Sequence, residues 1–298
     1  MKKAAPLFIL IAGSLWGCMG ILVRSLNKIG LESMEVVAVR AFVTFLCMAA
    51  GLMVIDRKAF RVHLKDIWCF LGTGICSIVF FNYCYFKTIS LTSLSTAAIL
   101  LYTAPSIVMV LSAVLFKERF TGKKAAALVI TFVGCVLVTG GTGGAEGMSA
   151  AGILTGLGAG VGYALYSIFG RYAIMRGYSS LTITLWTFGS ASIGVLPFIS
   201  VPGIMGCFKG NPGEIGNALF WIFVTTVAPY ILYTLGLSHM ETGMASVISS
   251  IEPVVATFVG VILYEECLQL SGGIGVVLVI GAIVLINTKQ KKKGWYDE

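Results

Sequence analysis

The chain has 298 residues, of which 57% are apolar and 11% charged, with 21 Lys and Arg against 13 Asp and Glu. A soluble domain carries about 25% charged residues, so these few charges would leave a fold of this size with a very large exposed apolar patch. A helix crossing ~30 Å of hydrocarbon takes about 20 apolar residues, and ten crossings would use roughly 200 and leave only short connections. That excludes a large soluble catalytic or nucleic-acid-binding domain and leaves the net charge of +8 to be explained by membrane topology.

Apolar runs in chain order predict ten spans. Met1-Lys2-Lys3 and the run after it imitate a secretory signal, but no convincing small-x-small cleavage site precedes Arg24, so residues 5–24 are read as an uncleaved first span. It carries Trp16, with Gly13 and Gly17 at the four-residue spacing that lets helix backbones approach. The second, 33–54, holds Arg40 about 9 Å below an outer end near residue 34. That residue is a candidate to attract a carboxylate or phosphate, or else to snorkel or pair with an acid. The third, 66–88, carries Asn82 and Tyr85, with Lys87 as an interfacial cation. The fourth, 94–115, carries Tyr102 and Pro105, and the fifth covers 123–141.

The sixth, 150–175, presents Gly156, Gly158, Gly160 and Gly162 with Tyr163. The seventh is 181–200, and the eighth, 216–238, carries Tyr230 and Tyr233. The ninth, 243–264, holds Ser249, Ser250, Glu252 and Pro253, and the tenth is 270–288, followed by a basic tail, 289–298. The expected fold class is an all-α polytopic membrane protein with ten transmembrane helices.

Sixteen of the 21 Lys and Arg fall at the termini or in alternate connections that share their side, against Arg24, Lys28 and Lys209 on the other. Positive residues are retained in the cytoplasm, which predicts both termini inside and an even number of crossings. Basic loops facing anionic inner-leaflet lipid account for the net charge without nucleic acid. The eight cysteines lie mostly in apolar runs, with no C-x-x-C pair, and are read as free, buried thiols.

Sliding the chain by 147–148 residues lays the fourth span over the ninth. Pro105 meets Pro253, Glu118 meets Glu266, Ala97 meets Ala245 and Tyr85 meets Tyr233, while Gly13 meets Gly160 and Arg24 meets Arg171. The units are 5–141 and 150–288. Each holds five spans, an odd number, so the second copy enters the membrane from the opposite side, an arrangement associated with alternating access.

The two Ala-to-Pro-to-Glu units (Ala97 to Glu118, Ala245 to Glu266), the Ser14-Leu15-Trp16-Gly17 run and the Glu252-Pro253 pair resemble the EamA-type transporters of the drug/metabolite transporter superfamily. The resemblance covers nearly the whole chain and is specific to the superfamily, not to a substrate. It implies a ten-helix carrier, often an exporter of amino acids or other small metabolites, with a central cavity lined by the first, third, fourth, sixth, eighth and ninth spans. A bacterial inner or plasma membrane is the expected location.

Proline removes an N–H and crowds the carbonyl four residues earlier, so Pro105 and Pro253 should disturb their helices at Leu101 and Ser249, close to mid-depth in both spans. Non-helical backbone at that depth lines protein or water. Glu252 is the acidic residue nearest the centre of any span, where an ionised carboxylate costs ~2.5–3.5 kcal/mol on insertion scales. It is a candidate for proton coupling, for pairing with a substrate ammonium, or for tying span nine to a neighbour. Trp16, Asn82, Tyr85, Tyr102, Tyr163, Tyr230, Tyr233, Ser249 and Ser250 suit an amphipathic solute with an apolar body, and each also fits helix packing or an interfacial belt.

Two histidines, His63 and His239, and the absence of H-E-x-x-H, G-x-S-x-G or a phosphate-cradling loop argue against an enzyme. No ring of charges or carbonyl filter supports a channel or facilitator pore. A channel or facilitator-type pore and a non-transporting membrane sensor stay as the alternatives. The expected partners are a small-molecule substrate, protons as a candidate coupling ion, and the lipid bilayer, with no cofactor, no metal and no nucleic acid. The chain is expected to act as a monomer or homodimer.

Overall fold

The computed structural model describes residues 3–139, 149–267 and 269–288. The basic tail and the last two residues expected of the fifth span lie outside them. Among the described residues every regular element is helical. The first half runs α1 (Ala5–Gly17), α2 (Met19–Lys28), α3 (Ser33–Ile55), a short α4 (Ile67–Leu71) leading through a π-helical stretch, Gly72–Val79, into α5 (Phe80–Leu91), then α6 (Leu94–Leu101), α7 (Ala104–Phe116) and α8 (Gly122–Val138). The second runs α9 (Ala150–Met175), α10 (Ser180–Gly194), α11 (Val201–Gly210), α12 (Glu214–Ile222), a second π stretch, Phe223–Val227, α13 (Ala228–Leu237), α14 (Thr242–Ser249), α15 (Glu252–Tyr264) and α16 (Leu270–Asn287).

The backbone repeats with the period read from the sequence. α5 and α13 begin 148 residues apart, as do α6 and α14, α7 and α15, and α8 and α16, while α3 and α10 begin 147 apart. Both α7 and α15 end on a non-glycine residue in the left-handed region, Lys117 at φ 55° and Glu265 at φ 54°. The amides of Glu118 and Glu266 then reach back to Ser112 O and Gly260 O, closing the last turn and satisfying orphan carbonyls. Helix starts are capped in the same economical way. Ser93, Thr121, Ser149 and Ser179 each accept from the amide three residues on, which covers a donor that would otherwise be orphaned.

Eight helical runs are long and apolar enough to cross a membrane. Two expected spans fall short: the fifth is the 17-residue α8, and the seventh, expected over 181–200, ends as the 15-residue α10. Pro197 follows that end, in a 3-10 turn over Leu196–Phe198, and without an N–H it cannot bond back to the carbonyl four residues earlier and carry the α-helix on. The exposed α11 then takes up residues that follow the expected span.

The first span is also not one helix, because α1 stops at Gly17. The Cys18 amide bonds to Leu15 O, and α2 restarts at Met19. The fourth and ninth spans are interrupted outright, at Tyr102–Thr103 and Ser250–Ile251. Pro105 and Pro253 therefore occupy first turns of new helices, where no N–H is needed. The disturbance expected of both helices at the prolines is thus a full break, two to three residues before each proline.

The largest core cluster joins Ile9, Trp16, Met109, Tyr166, Tyr233, Leu237, Val247 and Ile248. It packs α1, α13, α14 and α9 together beneath the breaks. Glycine decides the closest approaches. A Cβ on Gly13 would stand 2.8 Å from Ser249 O, and one on its repeat mate Gly160 would stand 2.6 Å from Thr103 Oγ1 and 3.0 Å from Leu100 O. Each half thus presses a glycine against the interrupted helix of the other. All eight cysteines are free, as expected, but Cys47, Cys76 and Cys267 are exposed. The reading of buried thiols holds for Cys69, Cys84 and Cys135.

Candidate functional site

A cavity of about 590 Å³ opens in the middle of the bundle, within the range of small-molecule sites. Its mouth carries Arg24, Asn27, Ser33, Ser90 and Leu94, on the face of the 29–32 and 92–93 connections, which is the cation-poor face of the sequence. The opposite face is sealed by the core cluster around Met109, Leu237 and Val247. α1, α3, α5, α6, α9, α13 and α15 all contribute to the wall. The expected lining spans are thereby joined by the second, through Ser33, Val36, Val37 and Arg40.

Of the residues singled out from sequence, Trp16, Arg40, Asn82, Tyr85, Tyr102, Tyr163, Tyr230, Tyr233 and Glu252 all line this cavity. Ser249, Ser250 and Pro105 do not. They border a hole of about 10 Å³, together with Glu252, Tyr102, Tyr163 and Tyr233. That is about the space of one water. Both serine hydroxyls donate to Ser246 O. Pro253 is buried and borders neither space.

The aromatic wall is built by helical spacing. Tyr163, Tyr166 and Ser167 lie three and four residues apart on α9, and Tyr230, Tyr233 and Thr234 do so on α13, so each trio shares a face. The two faces bond reciprocally: Tyr166 OH with Thr234 Oγ1 at 2.9 Å, and Ser167 Oγ with Tyr233 OH at 2.7 Å. Trp16 sits over the seam, its ring centroid 5.2 Å from those of Tyr230 and Tyr233 and 6.5 Å from that of Tyr163. Its indole N–H has no partner among the described residues. Asn82 donates to Ile78 O in its own helix.

Besides Arg24 at the mouth, two charges line the cavity deeper in. Arg40 is buried and its Nε donates to Thr226 Oγ1 at 3.2 Å, so it does not snorkel to the interface. Glu252 opens α15, where helix N-terminal amides favour negative charge, and accepts from Tyr163 OH at 2.8 Å. Among the described residues the ion pairs are Arg24–Glu266, Lys124–Glu241 and Arg176–Asp66, so Arg40 and Glu252 meet neither each other nor another opposite charge at ion-pair distance. Neither charge is required by the repeat, since 147 residues after Arg40 stands Thr187 and 148 before Glu252 stands Ala104.

Sequence reasoning missed Ser77, Phe81, Tyr166, Ser167 and Thr226. For Tyr166 and Ser167 the signal was available, because they follow Tyr163 on its own helical face. Thr226 lies in a π stretch, where that spacing no longer tells which way a side chain points. Among the described residues no cluster of His, Cys, Asp and Glu could hold a metal.

Comparison with known proteins agrees with this architecture. A solved crystal structure matches with a TM-score of 0.77 over 96% of this chain and 97% of its own, at 17% identity, which is a likeness of fold. Among relatives, the uncharacterized transporter YwfM of Bacillus subtilis is 24% identical over 96% of this chain and 95% of its own. An uncharacterized transporter of Archaeoglobus fulgidus is 28% identical over 82% and 85%, and the uncharacterized inner membrane transporter YicL of Salmonella typhimurium is 22% identical over 98% and 97%. The family model for EamA-like transporters matches twice, over residues 3–140 and 150–288. This multi-pass integral membrane protein belongs to the EamA-like transporter family, within the drug/metabolite transporter superfamily.

Proposed function

We propose that the protein is a ten-span carrier that moves a small zwitterionic metabolite, of the size and chemistry of an amino acid, by alternating access. The observation that carries this reading is the pair of separate, opposite charges facing one aromatic-walled cavity: Arg40 suits a carboxylate, Glu252 an ammonium, and the rings an apolar body. Buried charges are costly and are retained at functional positions. A zwitterion completes both at once, and the free indole N–H of Trp16 offers a further donor.

In this reading α8 and α10 are the two remaining crossings. At about 1.5 Å per residue they reach roughly 22–26 Å, close enough to the hydrocarbon thickness for flanking residues and local thinning to make up the rest. Ten of the fifteen residues of α10 are buried, and α8 packs along α16, so both belong to the bundle. The two halves, 5–141 and 150–288, are then inverted copies, both termini are cytoplasmic, and the cavity faces outward. Export is the direction that the family resemblance favours, with Glu252 as the group that exchanges a proton for substrate. The protein works as a monomer or homodimer in a bacterial inner membrane.

The test is a thermal-shift titration of the purified protein with matched sets: an amino acid, its decarboxylated amine and its deaminated acid. Binding stabilises by mass action, so the amino acid should raise Tm at concentrations where neither partial analogue does. Equal shifts from the amine alone would remove Arg40 from the site, and no saturable shift from any member would remove the zwitterion reading.

A further inference from the structure

The sealed and open faces hold repeat-equivalent residues in different contacts. On the sealed face, Glu118 Oε1 and Oε2 accept from the amides of Thr242 and Gly243 at 2.7 and 3.1 Å, capping the start of α14. Arg171 Nη1 donates to Leu237 O at 2.9 Å and Met240 O at 3.3 Å, at the end of α13. A carboxylate on helix N-terminal amides and a guanidinium on C-terminal carbonyls are the complementary choices for the two helix ends. Together they hold the α13–α14 hairpin shut against α9 and α7.

On the open face the repeat mates are Arg24 and Glu266. Glu266 follows α15 on the same left-handed turn that places Glu118 after α7, so the backbone presents both carboxylates alike. Yet Arg24 Nη2 bonds to Glu266 Oε1 at 2.6 Å, with the guanidinium 3.9 Å from the centre of the Tyr264 ring. The hairpin equivalent to α13–α14 is α5–α6. Its matching groups are the Ile89 and Thr92 carbonyls and the Leu94 and Ser95 amides. Those two amides begin α6, and among the described residues they have no acceptor. Ile89, Leu94 and Arg24 all line the cavity mouth.

We propose that Arg24–Glu266 is the released form of an outer clamp whose engaged form is the Glu118 and Arg171 contact on the inner face. When the outer mouth closes, Glu266 moves onto the Leu94 and Ser95 amides and Arg24 onto the Ile89 and Thr92 carbonyls. When the inner mouth opens, Glu118 and Arg171 leave the α13–α14 hairpin and pair with each other. Each charge keeps a partner in both states, so neither state leaves one bare in the membrane. The clamp rests on the alternating-access reading, and it assigns the gates to four residues outside the cavity's charge pair.

The test is hydrogen exchange of the full chain in nanodiscs, without substrate, read at residues 94–97 and 242–245. The charge swap Arg24→Glu with Glu266→Arg keeps the ion pair but presents the wrong sign to both helix ends. The clamp therefore expects the swap to stay outward-open, with exchange roughly tenfold faster at 94–97, the weight of about one hydrogen bond to a charged group, and slower at 242–245. Wild-type exchange at both segments would mark the pair as a structural tie and overturn the clamp. Glu118→Gln, which leaves Arg24 and Glu266 untouched, should slow exchange at the distant 94–97 segment; a change confined to 242–245 would overturn the clamp as well. Leucine counterflow in proteoliposomes separates the two readings. Reciprocal exchange without counterflow supports the clamp and removes leucine-like zwitterions as substrates. Counterflow with both segments unmoved in the swap overturns the clamp and leaves transport standing.

Discussion

In the first half, α6 breaks at Tyr102–Thr103, α7 restarts with Pro105 in its first turn and ends on the left-handed Lys117. In the second half, 148 residues on, α14 breaks at Ser250–Ile251, α15 restarts with Pro253 and ends on the left-handed Glu265. The π stretches also end 148 residues apart, at Val79 and Val227. The two charges deeper in the cavity than Arg24 follow no such rule, since Arg40 is matched by Thr187 and Glu252 by Ala104. Thr187 serves its own half as a packing group, bonded to Thr73 Oγ1 at 2.6 Å. What two copies share is what the proposed alternating-access cycle needs, namely breaks, tight glycine contacts and helix-end carboxylates. What they do not share is what one solute needs.

The first span departs from this pairing of backbones. α9 runs unbroken for 26 residues, while its counterpart is split at Cys18 into α1 and α2. The piece beyond the split carries Met19, Gly20, Val23, Arg24 and Asn27 to the cavity mouth. The split thus lies on the open side, and the unbroken helix carries Arg171 on the sealed side. The two conformations of one repeat element therefore coincide with the two states of the two faces.

The comparison is broken most severely through the glycines. Gly13→Leu should abolish transport, because even its Cβ would stand 2.7 Å from Ile251 Cγ2 and 2.8 Å from Ser249 O, and overpacking of this kind costs about 1–3 kcal/mol. Gly160→Leu should do the same from the other half. Gly51→Leu, where nothing lies within 4 Å, is the control that should insert and transport as wild type. The measurement is substrate flux normalised to folded protein, and retained flux in Gly13→Leu would show that this close contact is not needed for transport.

Much of this frame was legible in the sequence. Paired prolines and glutamates at one offset gave the repeat, because chain breaks and helix-end carboxylates need particular residues wherever the fold recurs. Pro197 stood inside the expected seventh span and should have shortened it. The split at Cys18 carries no such mark: neither proline nor a capping side chain announces it, and it follows directly on the close packing of Gly13 and Gly17 against Ser249, Glu252 and Val255. At the site, residue types were legible and directions were not. Arg40 could be placed in depth, but only its bond to Thr226 decides that it turns inward.

The next largest effect concerns the unshared charges. Arg40→Gln removes the guanidinium and leaves a polar side chain for Thr226. If a substrate carboxylate docks there, the loss is one hydrogen bond to a charged group, about 1.5–3 kcal/mol, or roughly 10–150-fold in apparent affinity. Affinity for the matched amine should change far less. Identical losses for amino acid and amine would mean that Arg40 holds α3 to Thr226 and reads no ligand.

The smallest effect tests the seam itself. The bonds between Tyr166 and Thr234 and between Ser167 and Tyr233 join α9 to α13, and both are buried. Tyr166→Phe and Ser167→Ala should each lower stability by about 1 kcal/mol, the net worth of a neutral hydrogen bond. The two bonds share the rings of Tyr166 and Tyr233, whose centroids are 5.9 Å apart, so the double variant should lose more or less than the sum of the singles, as contacting residues do. A seam that only packs predicts lower Tm with unchanged substrate preference. A seam that also holds Tyr163 and Tyr230 in place for the solute predicts a shift in preference among apolar side chains at equal Tm loss, because those rings lie on the same helical faces and contact Trp16. Comparing Tm with the preference series across the three variants separates the wall's strength from its shape.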